Sequence, residues 1–339
     1  MARRERTTAL PRPHPRRREV SGRTIFGVRW DDRRSRFAIL GGAVALLVFV
    51  VGWFAFRLYE DNIGLPNSTV LTVGSDTFSL RYYTERLSKF VRDSSSSQSA
   101  SPNLGISEQQ LLSKLEDEAL TVQLAKASGI TITNDDVNAA IGTDVGLPSG
   151  GSVSLFDQLY RQMLKTNNMS DSSYRKLSTA FVANQKLVDM FAGQVGDTGE
   201  LVTLRAIVVN SKDAADALVP RITRGEDMGT IAQLTSVDAS KSTDGLMTAQ
   251  PAQLLPQPIQ DAIAGKQAGS DVLGPIQVDT QFWVFRIEKR DPNGSLTNDM
   301  KQQLGQVKLD STLNDRRQQT KIVRSLSTSD IKWAEAHVQ

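Results

Sequence analysis

Cysteine is absent from the 339 residues, which excludes disulfides, thiolate metal sites and a cysteine nucleophile. Histidine is nearly absent: His14 and His337 lie near opposite ends, which argues against a histidine-ligated metal and against a Ser/His pair. Nothing in the sequence calls for a cofactor. Acidic residues are scarce at the start, where residues 1–36 hold twelve arginines against Glu5, Glu19, Asp31 and Asp32. The remaining 303 residues carry 28 basic and 33 acidic side chains, so the basic pI belongs to this tail and says nothing of a nucleic-acid-binding fold. Blocks of arginine and prolines at 11, 13 and 15 make 1–36 too polar to bury a core, and it reads as a disordered basic tail.

What the chain does have is one long apolar run. Residues 37–56, FAILGGAVALLVFVVGWFAF, carry no charge between Arg36 and Arg57. At about 1.5 Å per residue the run spans about 30 Å, the hydrocarbon thickness of a bilayer. A secretory signal has a shorter apolar core and small residues at its end. Here Trp53, Phe54, Phe56 and Tyr59 stand at that end, as in an interfacial aromatic belt. The reading is a single-pass transmembrane helix over 37–57, with the arginine-rich side cytoplasmic and everything beyond about residue 60 extracytoplasmic. The lipid bilayer is therefore one partner.

Beyond the anchor, amphipathic helices dominate. A β-branched stretch at 69–78 leads through Gly74-Ser75-Asp76 into a helix capped by Ser79, with Tyr82, Tyr83, Leu87 and Phe90 on one face. The loop 94–102, SSSSQSASP, separates it from a helix that runs from Ser107 to a stop at Gly129. Thr133 and Asp136 form a variant capping box for the next, short helix. Two further helices cover 154–166 and 170–195, and in the second Tyr174, Leu177, Phe181, Val188 and Phe191 share a face. Composition then changes. Strands at 201–209, 272–278 and 281–288, with helices at 212–224 and 226–234, suit a small antiparallel sheet covered by helices. A last helix occupies about 297–324.

The stretches VLTVGSDTFSLRYYTERL, LLSKLEDEALTVQLAKASGITITNDDVNAAI and FDQLYRQMLKTNNMSDSSYRKL resemble, in order and spacing, the helical opening of the SurA/PrsA/PpiD group of membrane-associated or periplasmic foldases. LRAIVV, GEDMGTIAQLTSVDASK and GSDVLGPIQVDTQFWVFRI resemble the framework of a parvulin-type prolyl isomerase domain. The resemblance implies an α+β protein: a basic tail (1–36), the membrane helix (37–57), a SurA-N-like chaperone domain (66–200), an inserted parvulin-like domain (201–291), and a C-terminal helix (295–339) that packs back onto the chaperone domain.

Carried over residue by residue, the family's two histidines fall on Ala206 and Trp283, and the Met and Phe of the proline pocket on Leu255 and Ile259. Only Asp238 stands where parvulins carry Cys or Asp. Prolyl isomerisation needs a shaped apolar slot and a preorganised polar network to favour the twisted imide, and here that network lacks both imidazoles. Ala206, Leu255, Ile259, Phe282 and Trp283 are the candidates for a degenerate peptide-binding slot, with Trp283 filling space left by the histidines. Tyr82, Tyr83 and Phe90 are candidates for a client-binding face. For each aromatic the alternative is ordinary core, and for Asp238 a turn aspartate capping backbone N–H groups. The function this implies is a membrane-anchored chaperone that holds unfolded or nascent translocated polypeptides. Its alternatives are an active prolyl isomerase, and a scaffold or translocon accessory with the translocon as partner.

Overall fold

The computed structural model describes residues 24–25, 28–29, 32–96, 104–148, 150–269 and 271–338. The chain divides after Pro66 into two compact units. In the first, β1 (Thr24–Ile25) and β2 (Val28–Arg29) pair antiparallel, and α1 runs from Asp32 to Tyr59. The apolar run 37–56 lies wholly inside α1, which begins five residues before it, arginine being a good helix former. From Leu40 to Leu58 every side chain of α1 is exposed, and the helix is long and apolar enough to cross a membrane. The rest of the basic tail lies outside the described residues.

The second unit opens with a hairpin, β3 (Thr69–Val73) and β4 (Asp76–Ser79). Then α2 (Leu80–Ser96) starts where Ser79 Oγ accepts the Tyr82 N–H at 3.3 Å. The loop expected over 94–102 is helical up to Ser96, and 97–103 lies outside the described residues. Next, α3 (Leu104–Ala127) ends at Gly129, whose φ of 76° lets Ile130 N–H turn back to Ala125 O at 2.9 Å. The Thr133/Asp136 box opens α4 (Asn134–Asp144), and Ser152 and Ser170 cap α5 (Val153–Asn167) and α6 (Asp171–Gln194). Leu71, Leu80, Tyr83, Leu87, Leu111, Leu115, Leu120 and Leu187 are fully buried in this helical part.

The sheet part begins with β5 (Thr198–Val209), α7 (Lys212–Thr223) and α8 (Met228–Thr235). A 3₁₀ turn over Ala239–Thr243, the short β6 (Gln250–Pro251), α9 (Gln257–Ile263), β7 (Leu273–Val278) and β8 (Gln281–Ser295) complete it. The sheet order is β6-β5-β8-β7, antiparallel throughout. Alternation along the strands gives each face its own core. Ile207, Val209 and Val284 pack under α7 and α8, while Val202, Leu204, Ala206, Phe285 and Ile287 pack against Leu255 and α9.

Chain order then returns to the helices. α10 (Asn298–Gln319) packs along α6, where a Cβ on Gly305 would stand 2.7 Å from Val188 O. Two sequence-based placements change here. The last helix ends at Gln319 rather than 324, because Ile322–Arg324 form β9 and pair with the open edge of β3 (Leu71 opposite Arg324, Val73 opposite Ile322). Helical periodicity cannot reveal that edge. Phe181, grouped by period with Tyr174, Leu177, Val188 and Phe191 on one face of α6, is 54% exposed. α6 contacts α3, α4 and α10, and the small Ala180, Ala183 and Ala192 on it are buried while Phe181 is not. A final α11 (Thr328–His337) is capped by a Ser327/Asp330 box.

Candidate functional site

β5 and β8 lie side by side with Ala206 opposite Phe285 and Val208 opposite Trp283. Ala206 is fully buried, in one cluster with Leu255, Ile259 and Phe285, which are 4%, 0% and 0% exposed. Its N–H donates to Gly245 O at 2.8 Å, and Gly245, at φ 74°, lies so close that a Cβ there would stand 2.5 Å from Ala206 O. Ala206 is small because its surroundings are full. Trp283 is half-buried and packs against this cluster, two ladder pairs away from Ala206; the side chain across from Ala206 is that of Phe285, not Trp283. Phe282, next in the strand, points to the opposite face and packs with the α7/α8 layer, since successive strand residues alternate. The fold therefore brings Ala206, Leu255, Ile259 and Trp283 together and sends Phe282 elsewhere. Of the four, three are closed off from solvent.

Asp238 ends the segment after α8. Its Oδ1 accepts from Ser236 Oγ–H and its Oδ2 accepts the Ser240 N–H at 3.0 Å, which caps the 3₁₀ turn. Ser236 Oγ in turn accepts the Val208 N–H at 2.9 Å, tying the carboxylate to β5. Burial pushes the Asp238 carboxyl up, but the hydrogen bonds from Ser236 and Ser240 outweigh it and hold the group below its ordinary value. The result is an ionised acceptor with both oxygens engaged inside 236–240, a turn-capping aspartate.

In the helical part, Tyr82 and Tyr83 are 6% and 0% exposed, and Phe90 is half-buried. Tyr82 accepts from Arg86 at 3.0 Å, Arg86 forms a two-pronged pair with Glu118, and Lys176 Nζ sits 3.7 Å from the Phe78 ring centre. Tyr82, Tyr83 and Arg86 are built into the core. The apolar surface that does face solvent is one the periodicity hides. Phe181 stands between a cleft of about 590 Å³ over α4 and α6 and one of about 530 Å³ over α3, α6 and α10, and both are floored in part by Leu177. The spacing of Ala180, Ala183 and Ala192 is the sequence signal that could have turned Phe181 outward. Among the described residues no His/Asp/Glu group is arranged to hold a metal ion.

Against this geometry, residues 33–188 match the SurA-like N-terminal domain family and 194–299 the PPIC-type PPIASE domain family. Chaperone SurA of Pseudomonas putida is 23% identical over 209 residues, 54% of this chain and 48% of that protein. Chaperone SurA of Pseudomonas aeruginosa is 24% identical over 221 residues, 56% of this chain and 52% of that protein. The chain thus aligns with about half the length of these relatives. Among solved structures, the peptidylprolyl isomerase PrsA of Bacillus anthracis aligns over 67% of this chain and 94% of its own, at 13% identity and a TM-score of 0.40. Foldase protein PrsA of Streptococcus pneumoniae aligns over 79% and 93%, at 15% identity and 0.34.

Proposed function

We propose that this chain, a SurA/PrsA-like protein joining a SurA-like N-terminal domain to a PPIC-type domain, is a membrane-anchored extracytoplasmic chaperone whose PPIC-type domain binds or braces without catalysing isomerisation. The observation that carries the reading is the state of Asp238 and Ala206. The one retained family carboxylate has both oxygens engaged in a turn, and the first histidine position is an alanine sealed in a packed core. A twisted imide would find no slot beside Ala206, and both oxygens of Asp238 are already engaged. α1 supports the anchor: its side chains from Leu40 to Leu58 are exposed, and Gly41, Gly42 and Gly52 have nothing within 4 Å of an added Cβ. On this reading the anchor spans 37–57 with the arginine-rich tail in the cytoplasm, and clients are translocated, unfolded polypeptides.

The test uses the full chain in lipid nanodiscs. In a protease-coupled assay on a proline tetrapeptide, the expected rate equals that without protein, while aggregation of an unfolded client is suppressed. Turnover that Asp238→Ala abolishes would overturn the reading in favour of an active isomerase. Failure to suppress aggregation would favour a scaffold or translocon accessory.

A further inference from the structure

Phe181 is 54% exposed and borders the cleft on its α4 side. The cleft's floor follows one face of α6 from Tyr174 through Leu177, Phe181 and Val182 toward Asp189. Seven residues separate Tyr174 from Phe181 and eight separate Phe181 from Asp189, so the face runs about 22 Å at 1.5 Å per helical residue.

The charges along it are unevenly matched. Lys186 is taken by Asp136 at 2.7 Å, and Lys89 pairs with Asp93 at 3.1 Å. Asp144 and Asp189, exposed at opposite ends, receive only neutral donors among the described contacts: the Tyr174 hydroxyl for Asp144, and the Gln302 amide at 3.0 Å for Asp189. The cleft is thus an apolar trough with an exposed aromatic ring in the middle and an uncompensated carboxylate at each end.

We infer that this trough is the client site of the helical domain, and that it selects an extended segment with a bulky apolar side chain at its centre and a basic residue toward each end. At about 3.3 Å per residue an extended chain covers the 22 Å with about seven residues, which sets the spacing of the two cations. The central side chain packs on Phe181 and Leu177, and the flanking cations meet Asp144 and Asp189. Acidic segments are repelled, so the charges govern selectivity more than strength. The inference rests on the chaperone reading and adds where and what the protein binds.

The experiment measures fluorescence anisotropy of the full chain in neutral phosphatidylcholine nanodiscs at low salt. The probes are fluorescein-labelled heptapeptides with a central phenylalanine and lysine at both ends, the same with glutamate at both ends, and one with central glycine. The lysine-ended peptide is expected to bind about tenfold tighter than either other peptide. Phe181→Ala should weaken it about tenfold, as loss of an aromatic contact does at an interface. Asp144→Asn with Asp189→Asn should bring the lysine and glutamate peptides within about twofold of each other. Because Phe181 is exposed and asparagine keeps a side-chain oxygen to accept from Tyr174 at 144 and from Gln302 at 189, thermal unfolding of these variants should match the parent. Equal binding of all three peptides, or unchanged binding by Phe181→Ala, would overturn the assignment. So would self-association of the chain that Phe181→Asp abolishes, since a second copy would then be the occupant. Client aggregation measured in parallel separates the two claims. Suppression that persists in Phe181→Ala leaves the chaperone and removes this site; absence of suppression in the parent removes the chaperone, while anisotropy still decides the trough.

Discussion

Replacing Arg324 by alanine tests what closes the helical domain. Three consecutive acids on α3 each meet an arginine from a different element: Glu116 with Arg324 of β9, Asp117 with Arg317 of α10, and Glu118 with Arg86 of α2. The Glu116 side chain is only 3% exposed, and Arg324 holds it at 2.6 and 2.9 Å through two nitrogens. Arg324→Ala leaves a buried carboxylate without its cation. Breaking a buried pair costs about 3–5 kcal/mol; Arg324 is itself 47% exposed, so water can reach the gap and the lower end, about 3 kcal/mol, applies. At about 2–4 °C per kcal/mol for a unit of this size, the midpoint of thermal unfolding should fall by about 6–12 °C. The assay is far-UV circular dichroism of the full chain in nanodiscs at neutral pH, with hydrogen exchange across β3 and β9 as the local readout. Replacing both Glu116 and Arg324 by leucine should recover most of the loss, because no charge is then buried unpaired. A fall of less than about 2 °C for the single variant, with no advantage for the double, would refute this account of the closure.

Gly245→Ala should destabilise the sheet part by about 1–3 kcal/mol, since φ is 74° and the new Cβ would stand 2.5 Å from Ala206 O and 2.8 Å from Ala232 Cβ; the midpoint of urea unfolding reports it. Asp136 predicts part of the acid limb. Its hydrogen bonds to Lys186 and to the Thr133 backbone and hydroxyl lower its pKa from 3.8 to about 2. A lowered folded value means the contribution is present in full above 3.8 and is lost as pH falls from there through about 2. Asp136→Asn should therefore flatten the loss of stability across that window and leave its shape above pH 5 unchanged, read as urea midpoint against pH.

Much of the fold is legible in the sequence because it is written in local rules. The Thr133/Asp136 box, the Ser79 cap and the Gly129 stop are chemistry within a few residues of themselves, and each stands in the structure where its side chains dictate. The α+β class follows from the switch of hydrophobic period after Gln194. The site is less legible. The residue types at 206 and 283 can be read directly, but whether Ala206 faces a slot or a filled core depends on Phe285, Ile259 and Leu255, which arrive from distant positions. Parity along β8 separates Phe282 from Trp283, a consequence of strand alternation available in advance but not drawn from the motif alone.

By itself the sequence determined the long apolar helix, the order of helices and strands, and the want of any histidine between His14 and His337, because length, period and residue type are properties of single segments. Tertiary structure alone decided that Ile322–Arg324 become a strand, that Tyr82 and Tyr83 are core, and that Phe181 is surface. Each of those outcomes depends on what stands opposite: an open edge of β3, a neighbouring helix, or small residues that let helices close and leave an aromatic ring outside. Burial is a relation between segments, and no segment carries it alone.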